Sequence, residues 1–349
     1  MIFRTSNSAG RRGRRAAALT LAALVSGVLA ACGSGSGTTT GADGGTTKIT
    51  FALSYLPDPY LNGLAYAMQD GLLKDAGIEV ELLPFGSTSS DSLVASGQAQ
   101  FGNTVDVRSA LLAQAKGMPL TSLMAVYQHT PYQLTVLDDG KVARPADLAG
   151  KTYGGFGSPF ELAVVNQMIE SDGGSGKADE VVLSAAAYQA LSAGRVDTTL
   201  SYPGDLYAMK QAGTKISSFD TTDFGVPDAA ATLLIGNNSF VKDNPEVTEK
   251  FVQAVQKGYE VALKDPEAAN KALAAQFPGA VDDQVTSYIS ELQNKDFYPP
   301  AEGKFGNQSA QMWQANADWM AEKGLLVDDS GKPLKSLDVA GLFTNDYLG

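Results

Sequence analysis

From residue 48 to residue 213 the hydrophobic pattern switches repeatedly between a period of two and a period near 3.6. "KITFAL" (48–53) alternates and predicts a strand, and the stretch 59–77 places Leu61, Leu64, Met68 and Leu72 on one helical face before Gly77 stops it. "IEVELLPF" predicts a strand, "SSDSLVASG" a short helix opened by serine and aspartate, "AQFGNT" a strand, "VDVRSALLAQAKG" a helix and "PLTSLMAVYQ" a strand. The order then repeats. "YQLTVLDD" (132–139) and the segment ending in "KTYGGF" read as strands, 158–171 as a helix, and "EVVLS", "AAYQALSAG", "RVDTTLSY" and "DLYAMKQAG" continue the alternation. Strands separated by helices imply mostly parallel sheets covered on both faces.

A local echo points to two similar halves. "VASGQAQ" (94–100) and "LSAGRVD" (191–197) both run from helix through glycine to strand. Each leads to a strand end, Asn103–Thr104 or Tyr202, where an open α/β sheet binds ligands. "ATLLIGNNSF" (231–240) reads as a strand returning to the first half. Helices follow, one with Phe251, Val255, Tyr259 and Ala262 on a single face and one with Met312, Ala315 and Trp319 at near-helical spacing. The expected architecture is α/β, with two lobes joined by two crossings near 130–137 and 229–235 and closing as a hinged clamp. Lobe 1 takes 48–131 plus 236–349, and lobe 2 takes 132–235.

The first 31 residues change the picture of where this body lives. Arg4, Arg11, Arg12, Arg14 and Arg15 precede the uncharged apolar stretch 16–31, which is shorter than the ~20 residues a membrane-spanning helix needs. It ends in "LAAC", a lipobox-like run whose last residue, Cys32, is the chain's only cysteine. Residues 1–31 are therefore expected to be a lipoprotein signal peptide and Cys32 a lipidation site. The glycine-, serine- and threonine-rich stretch 32–47 would be a flexible tether holding a monomer at the extracytoplasmic face of the cell membrane. Removing the five signal arginines leaves 21 basic against 38 acidic residues, a net charge of −17. That balance argues against nucleic acid as a partner.

Several enzyme readings fail on the residues. "GKT" at 150–152 lacks the glycine five positions before Gly150 that a phosphate loop requires, since Pro145 stands there. "GGFG" lacks the third glycine of a dinucleotide fingerprint, no G-x-S-x-G elbow is present, and His129 is the only histidine, so neither a metal nor a cofactor is expected. His129, beside the first crossing, reads as a structural histidine in preference to a cleft residue.

"FALSYLPDPYLNGLAYAMQDGLLKDAGIEVEL" and "PADLAGKTYGGFGSPFE" resemble the substrate-binding lipoproteins of ABC importers, within the family of pyrimidine-precursor biosynthesis proteins that includes thiamine-precursor and sulfonate binders. The resemblance runs from about 48 to 325. It implies a type II periplasmic-binding-protein-like clamp, no enzymatic activity, permease and ATPase partners, and a small flat nitrogen heterocycle as ligand. A thiamine-precursor aminopyrimidine fits the glutamate of the second element, with riboflavin, a sulfonate or another aromatic compound as alternative cargo. Some eukaryotic relatives make the pyrimidine themselves, consuming a histidine; Leu61 stands here where members often carry one.

Glu161 has two readings. Ser158, Pro159 and Glu161 form a capping box, S-x-x-E, before an apolar run, which needs no ligand. The same geometry aims a helix start at the cleft, with Phe156, Gly157, Ser158 and Glu161 against the ligand. Tyr55 and Asp58, on the first strand-to-helix loop, and Tyr60, Asn103, Thr104 and Tyr202 complete the expected binding set, with Tyr153 and Phe160 as further aromatic candidates. Arg108, Arg144, Lys151 and Arg195 are the cations available to an anionic ligand.

Overall fold

The computed structural model describes residues 45–300 and 303–349. The expected signal peptide, Cys32 and all but the end of the tether lie outside the described residues. The chain runs through β1 (Thr47–Ala52), a 3-10 turn (Pro59–Leu61), α1 (Asn62–Gln69), α2 (Leu72–Asp75), β2 (Ile78–Leu83), α3 (Ser90–Ala95), β3 (Phe101–Asp106), α4 (Val107–Ala115) and β4 (Leu120–Tyr127). A second set follows: β5 (Gln133–Leu137), β6 (Thr152–Gly155), α5 (Pro159–Ser171), β7 (Asp179–Val182), α6 (Ala186–Ser192), β8 (Thr198–Ser201), α7 (Pro203–Gln211) and β9 (Ile216–Asp220). It returns as β10 (Ala231–Asn237) and ends in helices α8 (Asn238–Asp243), α9 (Pro245–Lys264), α10 (Pro266–Gln276), α11 (Asp283–Leu292) and α12 (Ala310–Glu322). Among the described residues, no helix is long and apolar enough to cross a membrane.

Two five-stranded sheets result, ordered β2-β1-β3-β10-β4 and β7-β6-β8-β5-β9. Both follow one plan: second, first, third, crossing strand, fourth. The echo seen in sequence falls on equivalent places, α3 leading through Gly97 (φ +77°) to β3 and α6 through Gly194 (φ +66°) to β8. The sheets are mixed, because β5 is antiparallel to β8 and β9, and β10 is antiparallel to β3 and β4. Both exceptions are strands that the chain enters directly from the other half. A crossing leaves one sheet at its carboxyl edge and meets the other at the same edge, so the receiving strand must run away from it.

Those crossings, 128–132 and 221–230, are fastened to each other. Asp228 accepts from the Thr130 N–H at 2.9 Å and pairs with His129 Nδ1 at 2.6 Å, while Thr130 Oγ1 and the Ala229 backbone N–H meet at 3.0 Å. Because β10 pairs from Ala231 onward, the chain is back in the first sheet before the expected 235/236 boundary.

The helix expected over 59–77 breaks into a turn and two short helices, with Gly71 at φ +83° between the latter. In α12 the buried face is Trp313, Asn316, Ala317, Trp319 and Met320, whereas Ala315, expected on that face, is exposed. On α9, Phe251, Val255, Tyr259 and Ala262 are buried as the spacing predicts, and Phe251 stacks on Phe101 with centroids 4.4 Å apart. The helices α1 and α9 cross at glycines: a Cβ on Gly258 would lie 2.0 Å from the Gly63 carbonyl oxygen. Backbone on backbone leaves no rotamer to absorb the clash. Gly258→Ala is expected to lower the unfolding free energy by about 1–3 kcal/mol in a denaturant titration; an unchanged midpoint would contradict this close crossing.

Candidate functional site

The carboxyl edges of the two sheets face each other, and the loops leaving them carry the polar chemistry. On the first sheet, Asp58 caps the 3-10 turn: its Oδ1 accepts from Tyr60 N at 3.3 Å. Oδ2 is directed at the second lobe, 3.9 Å from where a Cβ on Gly204 would lie. Tyr55 is 39% exposed, its ring 5.4 Å from Phe85. Tyr60 is drawn inward instead. It is buried, its hydroxyl donates to the Tyr55 carbonyl at 3.2 Å, and its own carbonyl accepts from Tyr259. Asn103 and Thr104 are buried within β3, where Asn103 Oδ1 accepts from Ser54 N at 3.2 Å and so fixes the loop that presents Tyr55.

On the second sheet the loop 156–158 wraps round one carboxylate oxygen. Glu161 Oε2 accepts from the N–H groups of Phe156 (2.9 Å), Gly157 (3.1 Å) and Ser158 (3.2 Å). The capping reading of Glu161 is therefore built, and extended to three donors. Among the described residues its Oε1 has no hydrogen-bond partner. Gly157 takes φ +87° to turn this loop, and Gly155 must lack a side chain, since a Cβ there would sit 3.1 Å from Glu161 Oε2 and 2.8 Å from Glu180 Oε1. Phe156 lies 5.9 Å from Tyr188 of α6. Tyr153 and Phe160 are core residues.

The start of α7 repeats the device. "YPGD" (202–205) matches "SPFE" (158–161), with proline first in the helix and an acid third, and Asp205 Oδ2 accepts from Tyr202 N at 3.3 Å. The Tyr188 hydroxyl lies near the same carboxylate and favours its ionised form. Tyr202 packs edge-on against Tyr132 at 5.6 Å, and Ser201 Oγ beside it is buried without a partner among the described residues. The sequence reading passed over Asp91, Tyr132, Tyr188, Ser201 and Asp205. For Asp205 the proline-acid spacing was the available signal; nothing comparable marks Tyr188.

Arg108 does not serve this space as a free cation. Fully buried, it donates to the Tyr132 hydroxyl and the Pro227 carbonyl, lies 3.5 Å from Asp106 Oδ2, and sits over the Trp319 ring. Arg144 is engaged by Asp172 on the surface, and Arg195 is exposed. Among the described residues no group of three His, Cys, Asp or Glu side chains is placed to hold a metal ion.

Burial dominates the carboxylates. It pushes Asp58 up to about 6, against the Tyr60 N–H and with help from Asp205 across the cleft. Asp91 at the start of α3 also rises to about 6, chiefly by burial. Glu161 and Asp205 are raised by burial, opposed by the N–H groups they cap and, for Asp205, by the Tyr188 hydroxyl. Such a group binds its proton more tightly in the folded than in the unfolded chain, so it contributes stability at low pH that is lost as pH rises through the folded value. Asp58→Asn, which keeps the Oδ1 cap, is expected to raise stability by about 1–2 kcal/mol at pH 7.5. The gain should vanish near pH 4, as read by denaturant titration at both values; an Asp58→Asn variant no more stable than wild type at pH 7.5 would contradict the burial of that charge.

Comparison with known proteins agrees with this arrangement. The family model described as NMT1/THI5 like matches residues 58–269, more than half of the chain. A formylaminopyrimidine-binding protein of Halalkalibacterium halodurans is 27% identical over 77% of this chain and 83% of its own length. The 4-amino-5-hydroxymethyl-2-methylpyrimidine phosphate synthase THI13 of Saccharomyces cerevisiae is 24% identical over 87% of this chain and 88% of its own. The fold is that of the alkanesulfonate-binding protein SsuA of Xanthomonas axonopodis pv. citri, with a TM-score of 0.66, 18% identity, and coverage of 85% and 98% of the two chains. With its doubled α/β plan and facing carboxyl edges, this chain belongs to the NMT1/THI5-like family.

Proposed function

We propose that this chain is the extracytoplasmic solute-binding lipoprotein of an ABC importer, anchored through Cys32, and that it captures a thiamine-precursor aminopyrimidine by closing the lobe built on the first sheet against the lobe built on the second. The observation that carries the ligand class is the pairing of uncommitted carboxylate oxygens, Asp58 Oδ2 and Glu161 Oε1, with aromatic rings from both lobes. Each acid uses one oxygen to hold its loop and keeps the other for the cleft. A 4-aminopyrimidine presents an exocyclic amino group and a ring nitrogen that complement a carboxylate, and its flat ring suits stacking between Tyr55, Phe156, Tyr188 and Tyr202. The name of the bacillar relative supports the same cargo.

An alkanesulfonate is disfavoured by the commitment of Arg108 to Tyr132, Pro227 and Asp106. Pyrimidine synthesis of the yeast kind is disfavoured because Leu61 is buried apolar core and His129 is engaged at the crossings by Asp228. A binding role with delivery to separate permease and ATPase subunits is the simpler reading.

Calorimetry on the purified protein, refolded to strip carried ligand, tests it. The titrants are hydroxymethyl- and formylaminomethyl-aminopyrimidine, riboflavin and taurine. The aminopyrimidines are expected to bind, and Glu161→Gln to weaken them roughly tenfold or more, the value of a charge-assisted hydrogen bond. Heat from taurine or riboflavin alone would redirect the cargo; aminopyrimidine binding that Glu161→Gln leaves unchanged would return Glu161 to capping alone.

A further inference from the structure

We infer that the cleft takes its ligand as a cation, the aminopyrimidine ring gaining a proton from solvent as it binds between carboxylates of the two lobes. This rests on the reading above and adds the charge state of the bound species. Asp58 comes from the loop after β1, Glu161 from the start of α5 and Asp205 from the start of α7, so both lobes bring negative charge to one space. Closure without a cation would press like charges together. The nearest guanidinium, Arg108, is answered by Asp106 within its own lobe. The helix start of α7 offers partial positive charge toward Asp58, but Asp205 in its first turn already draws on it.

Two independent features favour the same ligand. Aromatic rings come from both lobes, Tyr55 beside Phe85 and Phe156 beside Tyr188, and an aromatic ring attracts a cation through its quadrupole. Ser201 Oγ, fully buried at the carboxyl end of β8 and without a partner among the described residues, is a hydroxyl that can accept a hydrogen bond. The groups facing these acids from other elements add no positive charge. Around Asp58 they are Tyr55, Tyr127 of β4, Tyr298 and Asp205. Around Glu161 they are Glu180 of β7, Tyr153 of β6, Tyr132 and Tyr202. Around Asp205 they are Tyr188, Tyr202 and, from the other lobe, Tyr55 and Asp58. Burial and neighbouring carboxylates hold these tyrosines neutral, and Asp58, pushed up to about 6, is itself ionised above pH 7 and ready to pair.

The test is proton linkage. Hydroxymethyl-aminopyrimidine is titrated calorimetrically into the wild-type protein at pH 8 in buffers of different ionisation enthalpy, and its affinity is followed from pH 7 to 9. The expected result is close to one proton taken up per ligand and a Kd that weakens nearly tenfold per pH unit. The ring-N-methylated aminopyrimidinium salt, a fixed cation, should bind with no proton exchange and a flat Kd over the same range. In Asp58→Asn and Asp205→Asn the proton uptake should fall. Binding of the neutral base with no proton uptake and a flat Kd would overturn the inference while leaving the aminopyrimidine reading intact. No heat from either compound would overturn that reading itself. The wild-type arms decide the matter even if a variant fails to fold.

Discussion

Asp228 fastens the two crossings that make this molecule a clamp. Its carboxylate takes the Thr130 N–H and the His129 ring, so the outgoing and returning chains are joined where they pass between the sheets. A joint of this kind leaves the two sheets one shared axis. It also brings their carboxyl edges to face each other, because both crossings leave and arrive at those edges. The strand-to-helix loops thereby border the same space, and the single reversed strand in each sheet, β5 or β10, is the mark of that geometry.

The space is furnished by helix starts. Asp58, Glu161 and Asp205 each open a turn or helix whose first position is proline, and each spends an oxygen on the N–H groups that such a start leaves unpaired. Under the proposed function, local stability and ligand chemistry are thus served by the same side chain. The cost is the burial of carboxylates that would be more comfortable in water, visible in the upward push on Asp58, Asp91, Glu161 and Asp205. Arg108, by contrast, is used to knit β3, the second crossing and α12 together, and its charge is consumed doing so.

Much of this was legible in the sequence. Alternating periods predicted nearly every strand and helix, and the proline-acid spacing at 158–161 marked the loop that the structure builds around Glu161. Strand direction was not, because a two-residue period is the same in either direction and only the chain path reverses β5 and β10. Tyr60 read as a wall residue because its loop faces the cleft, yet its ring turns inward to join Tyr55 and Tyr259. Arg108 read as a cation for an anionic ligand because its partners, Tyr132 and Pro227, are distant in sequence. Tyr188 sits on a short helix whose polar face gives no hint of which neighbour it meets. Gly63, in the first turn of α1, and Gly258, within α9, carry no signal until the two helices are laid across each other.

Under the proposed function, ligand draws the two lobes together across this cleft. Small-angle X-ray scattering of the refolded, ligand-stripped protein, with and without saturating aminopyrimidine, tests it most directly. A smaller radius of gyration and a shorter maximum dimension are expected with ligand. Superimposable profiles, at concentrations where calorimetry shows the site to be full, would contradict it.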